Sequence, residues 1–351
     1  MSVLITPNEL HTALPITQKC VDVVKKTRHA FQRIANQQDD RLVVIVGPCS
    51  IHDAASALQY ARQLKTLIDK HNDTLCIIMR TYLEKARTSV GWKGFIHDPD
   101  LNDTFQIEKG LLSARQLLLA INEMHVPTAT EMVNPLTAQY FSDLMSWSAI
   151  GARTTESQIH RELASHLPMP VGFKNTTQGD IQVAIDAVQA AYQPHHYFGA
   201  DSSGKIAVLQ STGNAYAHVV LRGSTTQTNY DCETIERTHT SLKQSQLIDR
   251  VLIDCSHGNS QKNHLQQIQI IRALSQRIQQ KNEPILGVML ESHLVAGKQA
   301  WTPHQPMRSD QSITDACIGW SDTEAALAML SDAVKAKRFA ISNGLQMRIK
   351  S

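Results

Sequence analysis

The chain has 351 residues, 42% of them hydrophobic, with 34 Lys and Arg against 32 Asp and Glu for a formal net charge of +2. A chain this long can bury roughly three quarters of its unfolded surface, so it needs no disulfide staples or structural zinc, and its near-neutral balance excludes a nucleic-acid coat or a basic membrane-surface protein. Six scattered cysteines without a CxxC pair (Cys20, Cys49, Cys76, Cys232, Cys255, Cys317), no secretory signal and no apolar run near the ~20 residues of a membrane helix lead to the expectation of a cytoplasmic enzyme.

In chain order, Val21, Val24, Phe31 and Ile34 predict a leading helix within an N-terminal extension over residues 1–40. Eight short apolar runs follow, at Val43–Val46, Cys76–Met79, Thr128–Thr130, Ala149–Ala152, Val171–Phe173, His218–Leu221, Val251–Ile253 and Ile285–Leu290. Between most of them lie stretches with helical spacing, such as Ala54–Leu67 and Ile181–Ala191. Continuous apolar strands are buried on both faces, the mark of parallel strands joined by crossover helices. The fold class is therefore α/β, a (β/α)8 TIM barrel over residues 41–351, with an open doubly wound sheet as the alternative. Residues 193–214 carry two β-prone halves around Asp-Ser-Ser-Gly, an inserted β-hairpin. Among the cysteines, Cys76 falls inside a strand, Cys20 begins a helix and Cys232 falls in a polar linker.

In a barrel enzyme the chemistry gathers where strands end and βα loops begin. Here the runs end at Cys49, Arg80, Glu131, Arg153, Lys174, Arg222, Asp254 with His257, and Glu291. Arg80, Arg153, Lys174 and Arg222, joined by Lys85 and Arg87, would repel one another without bound anions. Arginine offers planar bidentate donors and lysine a point charge, so the mixture suits a phosphorylated, carboxylated substrate. Cys49, His257, Glu291 and Asp315 form a second set, a four-ligand site for one divalent metal ion. Sulfur, nitrogen and oxygen together admit Mn, Fe, Co, Zn or Cu. Lys174 offers a rival chemistry as a Schiff-base lysine.

The strings GPCSIHD (Gly47–Asp53), KARTSVGWKG (Lys85–Gly94), SAIGARTTESQ (Ser148–Gln158), PVGFKN (Pro170–Asn175), DCSHGNS (Asp254–Ser260) and SITDACIGW (Ser312–Trp320) resemble the type I 3-deoxy-D-arabino-heptulosonate 7-phosphate (DAHP) synthases, in the aromatic-amino-acid-regulated subgroup. The resemblance runs from about Asp40 to Trp320. It implies a transferase that condenses phosphoenolpyruvate with erythrose 4-phosphate and releases phosphate, the first step of the shikimate pathway. It also implies metal ligation by Cys49, His257, Glu291 and Asp315, a phosphoenolpyruvate cradle of Arg80, Lys85, Arg153, Lys174 and Arg222, and an aldose phosphate held by Arg87 and Thr88. Lys85, Cys49 and His257 are thus the groups nearest the chemistry, Lys85 serving in proton transfer as well.

Ala86 stands where the family usually has proline, and Thr176–Gly179 replaces the commoner GTDG. The resemblance further implies feedback inhibition by an aromatic amino acid in a pocket involving Val133–Tyr140, His166–Met169 and the N-terminal extension. Asn134 and Pro168 replace the more usual Asp and Ser there. The inserted stretch favours tyrosine as the effector. The extension and hairpin offer surfaces for a homodimer or homotetramer. The rivals are a related synthase using another sugar phosphate, a lysine-dependent aldolase, and a catalytically silent sensor of an aromatic amino acid.

Overall fold

Leu42–Gly47 (β1) is buried at every position because its two faces meet two different cores. Val43 and Ile45 point into one cluster with Cys76, Ile78, Ala129, Trp147, Val220, Leu252, Leu286 and Met289, while Val44 and Val46 point into another with Ile77, Met79, Val219, Leu221 and Ile253. The first cluster fills the interior of a closed barrel and the second lies between the strands and a surrounding layer of helices. This is the period-2 consequence of a strand covered on both sides.

The computed structural model of the chain describes residues 3–87, 91–280 and 283–349, with side chains through residue 343. Helices α1 (Pro7–Ala13) and α2 (Gln18–Ala35) precede β1, and α3 (Ala54–His71), β2 (Leu75–Arg80), α4 (Ile107–Glu123) and β3 (Thr128–Glu131) follow it. Next come α5 (Ala138–Phe141), β4 (Met145–Ile150), α6 (Gln158–His166), β5 (Val171–Lys174), α7 (Gln182–Tyr192) and the hairpin β6 (His196–Ala200) and β7 (Ile206–Gln210). The barrel resumes with β8 (His218–Leu221), α8 (Cys232–Gln244), β9 (Val251–Asp254), α9 (Gln266–Gln280) and β10 (Ile285–Glu291), before the small pair β11 (Val295–Lys298) and β12 (Gln311–Ser312) and the final helix α10 (Trp320–Ile349). The barrel closes in the order β1-β10-β9-β8-β5-β4-β3-β2, and β1 pairs in parallel with both β2 and β10. The expected (β/α)8 barrel is the fold, and the open sheet is not.

Two expectations need correction. The fourth strand is Met145–Ile150, not Ala149–Ala152. Its sequence MSWSAI alternates serine with apolar residues, so the apolar-run signal catches only its end, although both serines are wholly buried. Cys232 is not in a linker but opens α8, behind the cap formed by the Asp231 side chain.

The leading helix has a structural task. Thr17 caps α2 by accepting from the Cys20 amide at 3.3 Å. Phe31 and Ile34, both fully buried, join the interior cluster and close the N-terminal end of the barrel. The opposite, C-terminal end carries the loops, and Asp53 of GPCSIHD caps α3 there by accepting from the Ser56 amide at 2.7 Å. Among the described residues no helix is long and apolar enough to cross a membrane.

Candidate active site

Arg80, Glu131, Lys174, Asp254 and Glu291 are the last residues of β2, β3, β5, β9 and β10, so they reach the same rim. Arg222 follows β8 directly, while Arg153 stands three residues beyond β4, inside a tight turn in which the Thr154 amide donates to the Gly151 carbonyl at 3.0 Å. Cys49 lies two residues past β1. At Gly47, φ is +153° and a Cβ would sit 2.9 Å from the Arg80 carbonyl oxygen, so a side chain there would push β1 from β2.

Asp315 comes to Cys49 through a loop pinned to β10. The Ile318 amide donates to the Glu291 carbonyl at 3.0 Å and the His293 amide to the Ile318 carbonyl at 2.9 Å. Ser50 and Thr314 join their hydroxyls at 2.8 Å. Ligand atoms of Cys49, Glu291 and Asp315 consequently all lie within 4.8 Å of one another. His257 stands beside this trio, with Nε2 3.7 Å from Glu291 Oε1. Its Nδ1 lies 2.7 Å from Asp254 Oδ2, so the carboxylate fixes the ring with its other nitrogen toward the trio. Among the described residues the convergent donors are thus the Cys49 thiol and the Glu291 and Asp315 carboxylates, with the His257 imidazole alongside and held by the Asp254 carboxylate, and this mixed set suits a divalent ion.

The electrostatics are those of anions packed among cations. Burial, reinforced by the Glu291 charge, pushes the Cys49 thiol up to about 11 against the opposing pull of Lys85. Lys85 Nζ lies 3.2 Å from Cys49 Sγ and 3.3 Å from the Cys49 carbonyl oxygen. Burial disfavours the Lys85 ammonium, yet Cys49, Glu291, Glu131 and Asp315 outweigh it and hold Lys85 above the usual lysine range. Burial would raise Asp254, but His257 and Lys174 overcome it and hold this carboxyl well below the usual carboxylate range. Lys174 Nζ is 2.9 Å from Asp254 Oδ2, both groups being buried. Arg80, with no exposed surface, stacks 3.9 Å from the Tyr82 ring centre and donates to Glu291 at 3.1 Å. Burial, with the neighbouring Arg153 charge adding to it, lowers Arg222 below its ordinary value despite Asp254. A buried cation pressed by another cation is where an incoming anion is most stabilising.

Arg87 donates through Nε to the Trp92 carbonyl at 2.8 Å, and the Lys85 amide donates to the Lys93 carbonyl at 3.0 Å, so these flanking residues are held together. Thr88, expected beside Arg87, lies outside the described residues. Sequence reasoning noticed Asp254 as a strand end without giving it a role. The signal was available, because a carboxylate three residues before His257 on a strand-to-loop turn can reach the ring. Glu84 was missed as well. Buried beside Lys85, it accepts from the Thr137 hydroxyl at 2.8 Å and lies 3.2 Å from His97 Nε2, anchoring the base of the loop to the segment after β3.

Fold and site together define a class: a TIM barrel enzyme whose C-terminal rim gathers a cluster of cations beside a set of metal-type ligands. The model of the DAHP synthetase I family matches residues 15–328. The chain belongs to that family. It is 46% identical over 97% of its length to a phospho-2-dehydro-3-deoxyheptonate aldolase of Haemophilus influenzae, covering 94% of that protein. It is 45% identical over 94% of its length to the Trp-sensitive phospho-2-dehydro-3-deoxyheptonate aldolase of Escherichia coli K12, covering 95% of it. The solved phospho-2-dehydro-3-deoxyheptonate aldolase of Francisella tularensis superposes with a TM-score of 0.94 at 45% identity, covering 96% of this chain and 98% of that one.

Proposed function

We propose that the protein is a metal-dependent 3-deoxy-7-phosphoheptulonate synthase, condensing phosphoenolpyruvate with D-erythrose 4-phosphate to give DAHP and phosphate as the first step of the shikimate pathway, in the cytoplasm. The observation that carries the reading is the contact of Lys85 with Cys49, which joins the cation set to the ligand set at 3.2 Å. An anionic substrate held by the one therefore lies against whatever is held by the other.

Cys49, His257, Glu291 and Asp315 would hold the ion, and when bound it supplies Lewis acidity toward a carbonyl oxygen. Arg80, Lys85, Arg153, Lys174 and Arg222 bind phosphoenolpyruvate, and Arg87 with Thr88 binds the phosphate of the aldose. This cradle fixes the two substrates in reacting geometry. Carbon 3 of phosphoenolpyruvate bonds to the aldehyde carbon, and the aldehyde oxygen takes up a proton. Water adds at carbon 2, and phosphate departs with its developing charge supported by the arginines. Lys85, kept protonated by the anions around it, is the proton donor at Nζ.

Three parts of the chain meet where feedback control is expected. Tyr140 donates its hydroxyl to the Ile5 carbonyl at 2.7 Å, and the Asn8 amide donates to the Ser202 carbonyl of the hairpin at 2.9 Å. Tyr197 of the hairpin stacks edge-on against His166 at 6.1 Å. An aromatic amino acid bound among these segments is the regulatory reading. Tryptophan is the effector in the name of the Escherichia coli relative, while tyrosine, favoured from the inserted stretch, has no support from that name. Phe198, Ile206 and Val208 share one face of the hairpin and are 83%, 79% and 68% exposed, an apolar surface suited to a homodimer or homotetramer.

The test is phosphate release with each substrate alone, with both, and with both plus chelator. Release that needs both substrates and stops on chelation is the expected result. Release from phosphoenolpyruvate alone, or release indifferent to chelator, rejects the reading.

A further inference from the structure

Three asparagines from three separate loops lock together beneath the anion cradle. Asn175 follows Lys174 at the end of β5, Asn229 lies in the loop between β8 and α8, and Asn259 stands two residues after His257. All three are buried, with exposures of 0%, 7% and 3%. Asn229 Nδ2 donates to Asn175 Oδ1 at 3.0 Å, and the Asn229 amide donates to Asn259 Oδ1 at 2.8 Å.

What the three amides grip is the backbone of Arg222 and Gly223. The Arg222 amide donates to Asn175 Oδ1 at 2.8 Å and the Gly223 amide to Asn229 Oδ1 at 2.7 Å. The Arg222 carbonyl accepts from the Asn259 amide at 3.1 Å, and the Gly223 carbonyl accepts from Asn175 Nδ2 at 3.0 Å. The outer bonds go to the Thr176 carbonyl from Asn175, and to the Leu221 and Asp254 carbonyls from Asn259. Gly223, at φ +70°, leaves no room for a side chain, since a Cβ would sit 2.5 Å from the Asn259 amide nitrogen. A buried polar network with its members paired in this way holds one arrangement, because any other leaves a desolvated amide unmatched.

We propose that Asn229, acting through Asn175 and Asn259, is a positioning residue that sets Arg222 relative to Lys174 and His257. Each partner asparagine is within two residues of one of those groups, so the network fixes the spacing of the two cradle cations and the metal-ligand histidine across three strand ends. Asn229 belongs to none of the motifs that carry the family resemblance. The inference rests on the cradle reading of Arg222.

The experiment uses the full-length, manganese-loaded enzyme and compares wild type, Asn229→Ala, Asn229→Ser and Arg222→Ala. Asn229→Ala should weaken phosphoenolpyruvate binding, measured by calorimetry, and raise its KM by about tenfold or more, with the KM for erythrose 4-phosphate within about twofold of wild type. Asn229→Ser keeps a short polar group against the Gly223 amide and should fall between the two. A structural role alone would lower the melting temperature without separating the two KM values. A folded Asn229→Ala enzyme with wild-type phosphoenolpyruvate affinity overturns the proposal, and Asn229→Ser decides in the same way if the alanine variant does not fold. If Arg222→Ala also binds phosphoenolpyruvate normally, the cradle reading itself fails. If Arg222→Ala weakens binding and the Asn229 variants do not, the positioning role alone is wrong.

Discussion

Replacing Asp254 by Asn exchanges one oxygen for an NH2 group in a place with no solvent. Asp254 Oδ2 faces two cationic or donor groups, His257 Nδ1 at 2.7 Å and Lys174 Nζ at 2.9 Å, while Oδ1 accepts from the Ser256 amide at 2.9 Å and its hydroxyl at 2.7 Å. Either orientation of an asparagine amide turns its NH2 toward a donor. The buried Lys174 also loses its counter-charge, and removing one partner of a buried pair costs about 3–5 kcal/mol. Losing the carboxylate behind a metal-binding histidine typically costs about 10–100-fold in metal affinity. The variant should therefore bind manganese at least about tenfold more weakly in a calorimetric titration of the chelated, metal-free protein, and that protein should melt lower than wild type. Manganese affinity within twofold of wild type, in a variant that melts normally, would refute both the assignment of His257 as a ligand and the structural weight given to the Asp254 contacts.

Cys49→Ser exchanges a soft thiolate donor for a hydroxyl, and retained metal content with wild-type turnover would remove Cys49 from the ligand set. His218 lies wholly buried inside the barrel, accepting from Trp147 Nε1 at 3.2 Å, with its Nδ1 3.0 Å from the Tyr216 carbonyl; burial pulls it down to about 4. Its folded value is below the unfolded one, so the unfolded chain takes up the extra proton as pH falls from about 6.5 toward 4, and about 3 kcal/mol of stability is lost across that window. His218→Gln should flatten this part of the pH dependence of melting, and an unchanged acid limb would show that the buried imidazole is not responsible. At Gly172 an added Cβ would sit 2.5 Å from Trp147 Cζ2 and 2.6 Å from Val220 Cγ2. Gly172→Ala should destabilise by about 1–3 kcal/mol in denaturant unfolding, and an unaffected midpoint would mean that Trp147 has room to move.

The amino-acid sequence alone determined whatever depends on near neighbours along the chain. Seven of the eight strands were legible because both faces are covered, which leaves apolar runs such as Leu42–Gly47 and Ile285–Glu291. The residues of the rim were legible for a related reason: a barrel strand ends where its backbone leaves the core, and Arg80, Lys174 and Glu291 mark that exit with a charge. The fourth strand was misplaced because its outward side, Ser146 and Ser148, carries hydroxyls into the layer where β1, β2 and β9 carry hydrocarbon.

Tertiary structure decided everything that joins residues far apart in sequence. Closure of the barrel rests on β1 pairing with β10, from Val43 against Gly287 to Gly47 against Glu291, and no local pattern states which strand is the last neighbour of the first. The same holds for the plugging of the barrel floor by Phe31 and Ile34, and for the side of His257 on which Asp254 stands. It holds most of all for Asn229, whose polar side chain and loop position look ordinary until Asn175 and Asn259 are brought against it. Local periodicity reports burial, which is a property of one segment, whereas hydrogen-bond and charge partners belong to pairs of segments and exist only once the chain has closed.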